Sequence, residues 1–190
     1  MKKGKIIFLT GVSSAGKTSL ARMLQQKLTE HYYWLSQDTF TDDMASEKHK
    51  KKNWPIIFQQ CCYLLNHSIK LFSDTGANVI VDRVMLGFEK ECIMLLYDCP
   101  VLFVHVTCSS ILELRRREAE RGDRDIGQGE SQLAGLSSQL IFDYVVDTYE
   151  NTIEECATKI INCIDEKNFL SFRKMHEIIN LDYQVKCYKI

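Results

Sequence analysis

The sequence predicts an α/β domain built on a five-stranded parallel sheet, with helices on both faces and an arginine-bearing lid. Three observations carry that expectation. Near the start, the β-prone run Lys5-Ile6-Ile7-Phe8-Leu9-Thr10 feeds a glycine-bounded loop, and the loop feeds a helical pattern. Further along, short apolar runs alternate with longer segments of helical period, the order that builds a parallel sheet. One of those runs, Ala77 to Asp82, is nearly continuous in apolar residues, as a strand covered on both faces should be. Length and composition agree with one domain, or one domain with an appendage, since 190 residues at 45% apolar and 26% charged suffice for a full α/β core.

The first loop reads Gly11-Val12-Ser13-Ser14-Ala15-Gly16-Lys17-Thr18, followed by Ser19. This is G-x-x-x-x-G-K-T with a strand before it and a helix after it, the context in which the pattern means a phosphate loop. Gly11 and Gly16 allow backbone torsions that curl successive N–H groups around phosphate oxygens. A helix opening at about Lys17 adds the positive end of its dipole. Lys17 can neutralise the β- and γ-phosphates of a nucleoside triphosphate, and the Thr18 hydroxyl can take one position on Mg²⁺. Gly11, Val12, Ser13, Ser14, Ala15, Gly16, Lys17, Thr18 and Ser19 are thus the candidate nucleotide-binding residues.

Leu20, Met23, Leu24 and Leu28 continue at helical spacing in a first helix ending near Glu30, and Tyr32-Tyr33-Trp34-Leu35 is a second strand. Asp38 leaves the carboxyl end of that strand, where ligands sit in open α/β sheets. Its carboxylate has two readings, a helix N-cap or the base that takes a proton from an acceptor hydroxyl. Lys48-His49-Lys50-Lys51-Lys52 reads as a solvated face, with approach of a lysine to an anionic acceptor as the alternative. Trp54, Ile57, Phe58, Cys61, Leu64, Leu65, Ile69 and Phe72 then trace a long amphipathic helix with Pro55 in its first turn, read as a core-facing stripe.

The third strand, Ala77 to Asp82, ends in an acid that can help hold Mg²⁺. Arg83, next in the chain, could pair with Asp82, contact an acceptor or face solvent. Phe88 to Tyr97 is helical, Val101 to Thr107 is the clearest strand, and His105 inside it reads as a core histidine. Ser109 or Ser110 caps the next helix, which carries Arg115, Arg116, Arg117 and Arg121 with Glu113, Glu118 and Glu120 interleaved. Arg115 and Arg116 read as a salt-bridged solvent face. Arg121 and Arg124, where the helix breaks at Gly122 toward Gly127 and Gly129, suit a lid that closes guanidinium groups over a triphosphate. Gln132 to Phe142 is expected to be helical, Tyr144 to Thr148 a fifth strand, and Thr152 to Ile164 the final core helix. One more helix is expected in the tail.

Lys+Arg 24 against Asp+Glu 25 leaves a net charge of −1, so no global basic field argues for a nucleic-acid partner. The eight cysteines form no C-x-x-C pair, and none falls in a His/Cys cluster with zinc-ligand spacing. They point to a reducing cytoplasm. Met1 to Gly4 is basic, but the short apolar run behind it enters the loop and reads as a strand, not a signal peptide. The long apolar stretch Cys92 to Cys108 is broken by Asp98, Pro100 and His105, so no membrane partner is expected.

Taken together, these residues resemble the chloramphenicol phosphotransferase-like family of phosphate-loop (P-loop) kinases. Gly11 to Thr18 is similar to that family's G-G-S-S-A-G-K-S, and Gly76-Ala77-Asn78-Val79-Ile80-Val81-Asp82 to its G-A-x-[IV]-I-[IV]-D strand, with Leu86-Gly87 following. Arg121-Gly122-Asp123-Arg124, with Gly127 and Gln132, resembles its lid, and Asp143 to Thr148 with Glu154 to Ala157 its last strand and helix. The resemblance spans residues 5–164 and implies a P-loop kinase fold. It also implies that Asp38 is the catalytic base. Departures fall on the acceptor side: a short lysine-rich segment after Asp38, Arg83 where a second acid can stand, and Ser137 where a histidine occurs in the chloramphenicol enzyme. The tail after Asp165 has no counterpart.

The expectation is therefore a phosphotransferase domain over 1–164 with a helical extension over 165–190. It would move a phosphoryl group from ATP with Mg²⁺ to a hydroxyl of a small molecule. Lys17, Asp38, Arg121 and Arg124 are the candidate catalytic residues, and Thr18 and Asp82 the metal residues. The alternatives are a sugar, nucleoside or metabolite kinase without an antibiotic role, and a nucleotide-dependent switch that transfers nothing.

Overall fold

Five parallel strands run in the order β2-β3-β1-β4-β5. They are β1 (Ile6–Thr10), β2 (Tyr32–Ser36), β3 (Asn78–Asp82), β4 (Val101–Thr107) and β5 (Tyr144–Asp147). The computed structural model describes residues 2–85, 89–136, 140–164 and 169–187, without the side chains of 89 and 182–187. Leu86, Gly87 and Ser137, named above, lie outside the described residues.

Period-two alternation in the strands sorts the core into two layers. Ile7, Leu9, Ile80, Leu102, Val104 and Val106 point to one face, where α1 (Lys17–Lys27) and α6 (Ile153–Ile164) cover them. Ile6, Phe8, Val79, Val81, Val101 and Phe103 point to the other, under α2 (Glu47–Asp74), α3 (Glu89–Leu96) and α7 (Ser171–Cys187). Each such side chain, fully buried, contributes about 1.5–3 kcal/mol. The strand order reverses at β1, so the crevice outside the carboxyl ends of β1, β3 and β4 lies at the switch point.

Local signals fix most boundaries. Ser110 accepts the Glu113 N–H at 3.2 Å and opens α4 (Ile111–Arg121), which Gly122 ends in the left-handed region. Thr152 and Glu155 cap α6 reciprocally, at 2.8 and 3.2 Å. In α2, Asn53 breaks the helical torsions (φ −132°, ψ 29°) two residues before Pro55, whose missing N–H and ring exclude a continuous turn there. The predicted helix from Trp54 is therefore present, with a shorter helical segment from Glu47 joined to it. The tail helix α7 buries Phe172, Met175 and Ile179 beside Phe8 and Phe103, and Asp143 accepts from Leu170 N, Ser171 N and Ser171 Oγ at its start.

One element departs from expectation. The helix expected over 132–142 is instead α5 (Gln128–Leu133), six residues long and four residues earlier, and 140–142 run as coil toward β5. Its start is set by a partner distant in sequence. Glu118, fully buried on α4, accepts the N–H groups of Gly127 and Gly129, both at 2.7 Å. No residue next to α5 carries that signal. Among the described residues no helix is long and apolar enough to cross a membrane.

Candidate functional site

The loop between β1 and α1 is held open by its backbone. Gly11 sits at φ 153°, and a Cβ there would stand 2.0 Å from the Val106 carbonyl oxygen, so only glycine lets β1 turn this close to β4. Ser14 takes φ 59°, a left-handed torsion that a residue with a side chain rarely adopts and that clusters at ligand-binding turns. Gly16 stands at φ 96°, and α1 begins at Lys17. Val12 and Ala15 point into the core and anchor the loop from beneath. Ser13, Ser14, Gly16, Lys17, Thr18 and Ser19 face a cavity of about 780 Å³ at the carboxyl ends of the strands.

Lys17 Nζ donates to the Val12 carbonyl at 2.8 Å and is buried, which pushes its pKa below the ordinary lysine value. Burial also raises the Asp82 carboxyl above the usual carboxylate range, against the opposing pull of the Lys17 charge. The Thr18 hydroxyl donates to Asp82 Oδ2 at 2.7 Å. Two oxygen donors from α1 and the end of β3 thus stand together, the hard ligand set that Mg²⁺ takes alongside phosphate oxygens and water. The donor set fits that ion.

Asp38 stands at the N-cap position of a short π-helical turn, Thr39–Asp43, but its side chain caps nothing. Its Oδ2 instead accepts from Arg124 Nη2 at 2.8 Å. Of its two sequence readings, the N-cap is therefore the one overturned: the carboxylate is turned across the cavity to the lid. Arg121 is also on the cavity wall, with its guanidinium on Asp123 at 3.0 and 3.1 Å. The structure thus brings Lys17, Thr18, Asp38, Asp82, Arg121 and Arg124 to one cavity.

The lid is tied to the loop at two points. Gln132 Oε1 accepts the Ser13 N–H at 2.6 Å. Arg117 donates to Thr148 Oγ1 and O at 2.8 and 2.9 Å and to Ser14 O at 3.4 Å, while Thr148 Oγ1 donates to Ala15 O at 2.8 Å. A Cβ on Gly129 would meet Ser13 O at 2.8 Å, so the lid backbone lies directly on the loop. Arg115 pairs with Glu130 on the exposed face, as expected; Arg116, also largely exposed, pairs with Glu113 and Glu120, and these three line the cavity. Arg116 and Arg117 together hold the Glu113 carboxyl near pKa 2.

Two features differ from what the sequence suggests, and a third narrows a choice it leaves open. Glu118 has the pattern of a solvent-facing acid, yet it is the buried hub that orders the lid. Trp54 and Phe58, expected in the core, line the cavity at the start of α2 with ring centroids 5.3 Å apart, and Trp54 and Leu64 are exposed. Trp54 and Phe58 share a helical segment and period with the buried Cys61, Leu65 and Ile69, so no local pattern marks where the buried stripe gives way to the cavity wall. Arg83, for which the sequence allows three roles, is 2% exposed, donates to Asn66 Oδ1 at 2.6 Å and lines the cavity. It neither pairs with Asp82 nor faces solvent.

Comparison with known proteins gives the family and the fold. The family model described as chloramphenicol phosphotransferase-like protein matches residues 4–165. A protein of Mycobacterium tuberculosis (strain ATCC 25618 / H37Rv), named "Putative O-phosphotransferase", is 28% identical over 185 residues, covering 84% of this chain and 82% of that one. Among solved structures, the M. tuberculosis APS kinase with AMPPNP and APS superposes at TM-score 0.64 with 18% identity, over 87% of this chain and 99% of that one. The Acinetobacter baumannii shikimate kinase with shikimate superposes at 0.63 with 16% identity, over 88% and 97%. The fold is that of the P-loop kinases.

Proposed function

The chain belongs to the chloramphenicol phosphotransferase-like family, and from that premise we propose that it is an ATP-dependent phosphotransferase acting on a hydroxyl of a small molecule. The observation that carries this reading is the Asp38–Arg124 contact. A carboxylate and a lid arginine face each other at 2.8 Å across a cavity floored by the phosphate loop. An acceptor hydroxyl placed between Asp38 and the γ-phosphate would have a base on one side and guanidinium charge on the other.

Each residue then has one task. The amides of Gly11 to Ser19 and the α1 N-terminus bind the β- and γ-phosphates, with Lys17 regaining its full charge against them. Thr18 and Asp82 would hold Mg²⁺, which supplies charge neutralisation on the phosphates when bound. Asp38 accepts the hydroxyl proton as the acceptor oxygen attacks. Arg121 and Arg124 close over the transferring group, and α4–α5 keep water from competing. The unit doing this is residues 1–164, and in the extension that follows α7 packs against the sheet as a buttress. The cysteine usage of the sequence carries the reading of a reducing, cytoplasmic setting, and Cys61, Cys62, Cys99, Cys108 and Cys156 are buried thiols.

Two of the structural neighbours support donor and acceptor classes by their contents, an ATP analogue with APS in one and shikimate in the other. A switch that transfers nothing has no use for Asp38 facing an acceptor-sized space. The test is an ADP-release screen of the purified protein with Mg·ATP against alcohol-bearing antibiotics, sugars, nucleosides and cyclitols. Acceptor-dependent release is expected; tight ATP binding with no release across the panel would favour the switch.

A further inference from the structure

The cavity wall includes a buried cation that the phosphotransfer steps above do not use. Arg83 follows Asp82 at the end of β3 and is almost wholly buried, yet its side chain contributes to the cavity wall. A guanidinium has five N–H donors. Here one is accounted for, the Nη1 bond to Asn66 Oδ1, while Nε is buried with no partner, as is the Asn66 amide nitrogen beside it. Among the described residues no carboxylate forms an ion pair with it.

That is unlike the rest of the wall. Asp38 is paired with Arg124 and Asp42 with Lys50. Glu113 and Glu120 are paired with Arg116. Asp82 accepts from Thr18. Lys17, the other buried cation of the wall without an ion pair, has the phosphates as its counter-charge in the proposed reaction, so among the described residues Arg83 is the buried cation that those steps leave over. A buried charge without a counter-ion is costly to keep, and its tie to Asn66 is a neutral one that a lysine or glutamine could serve. The expense makes sense if the counter-ion arrives with a ligand.

The neighbouring side chains say what that ligand is. Trp54 and Phe58 supply an apolar wall from α2 to the same cavity, which Asp38 also lines. The exposed Lys51 and Lys52 shortly precede Trp54 and add positive charge on approach. We propose that the acceptor is an anionic alcohol, whose carboxylate, sulfate or phosphate group is bound by Arg83 while its hydroxyl meets Asp38. This rests on the phosphotransferase reading and names its substrate class. Neutral acceptors, chloramphenicol among them, would leave Arg83 uncompensated and be poor substrates.

The test uses matched acceptors in the ADP-release assay: glycerate and glycerol phosphate against glycerol, and glucuronate against glucose. Wild type is expected to favour the charged members by about tenfold or more in kcat/KM, and Arg83→Met to lose that preference through a KM raised about 10–100-fold, with Arg83→Lys retaining part of it. Which charged member is preferred separates carboxylate from phosphate. Equal or better turnover of the neutral members by wild type overturns the proposal without any variant.

A binding readout decides it independently of turnover. In a Trp34→Phe background Trp54 is the remaining tryptophan of two, and its emission reports on the cavity wall. With the phosphate loop saturated by Mg·AMPPNP, inorganic phosphate is expected to shift that emission saturably, and at least tenfold more weakly in Arg83→Met. No response with Arg83 in place, or the same titration in both proteins, overturns the proposal. If no acceptor is phosphorylated the phosphotransferase reading fails, and the phosphate titration still decides whether Arg83 binds an anion.

Discussion

Asp38→Asn separates two roles that share one contact. The substitution keeps the shape of the side chain and an acceptor for Arg124, but removes the charge and the capacity to take a proton. The lid contribution can be bounded from the structure. Arg124 and Asp38 meet at 2.8 Å with side chains 22% and 52% exposed, a solvent-screened pair worth about 0.2–1 kcal/mol. Losing all of it would change turnover by at most about fivefold. Losing a general base removes about 10²–10⁴, or roughly 2.7–5.4 kcal/mol. The two ranges do not overlap, so magnitude alone distinguishes them. With the best acceptor of the panel, Asp38→Asn is expected to lower kcat by at least about 100-fold while Mg·ATP affinity stays near wild type. The same drop should persist in an Arg124→Gln background, where the lid contact is already absent. A loss under about fivefold, or one that vanishes in that background, would refute the role of Asp38 as base.

Glu118→Ala leaves the buried amide of Gly129, at about 1–3 kcal/mol, and the half-buried amide of Gly127 without an acceptor, so a clear fall in melting temperature and faster amide exchange confined to α5 are expected. Lys17→Met removes a buried cation from a loop whose environment disfavours it. The free protein should melt at or above the wild-type temperature, while the stabilisation by Mg·ATP seen in a thermal-shift assay disappears. His105 stacks on Phe142 at 4.6 Å, and burial, with the Lys17 charge, lowers its pKa below 6.5. The unfolded chain therefore takes up this proton first: the contribution is complete above pH 6.5 and is lost as pH falls toward the folded value. His105→Phe should flatten that part of the acid limb in denaturant titrations at successive pH values; an unchanged slope would count against it.

What can be read in the chain is what short-range chemistry determines. Gly11, Gly16, Lys17 and Thr18 announce a phosphate loop because the turn, the amides and the hydroxyl all sit within eight residues. The strands announce themselves by alternation and continuous apolar runs, and β4 matches its expected bounds, Val101–Thr107. What the sequence hides is carried by contacts between distant segments. Glu118 looks like one of three acids on an arginine-rich helix, and only the approach of Gly127 and Gly129 turns it inward. The same contact displaces α5 from its expected place. Trp54 and Phe58 continue the apolar period of Cys61, Leu65 and Ile69 on one helical segment, and only the tertiary fold decides which part of that face is covered and which lines the cavity. Arg83 follows a strand-end acid and invites an ion pair with it, whereas the register Leu9↔Asp82 turns Asp82 to the loop and leaves Arg83 to α2.

Phosphorus NMR of the reaction mixture tests the central claim most directly. With Mg·ATP, the protein and a hydroxylated acceptor, a phosphomonoester resonance should grow in step with loss of the γ-phosphate, and should be absent with Lys17→Met. Inorganic phosphate appearing in place of the ester, or ATP left intact with every acceptor, would contradict phosphoryl transfer to an alcohol.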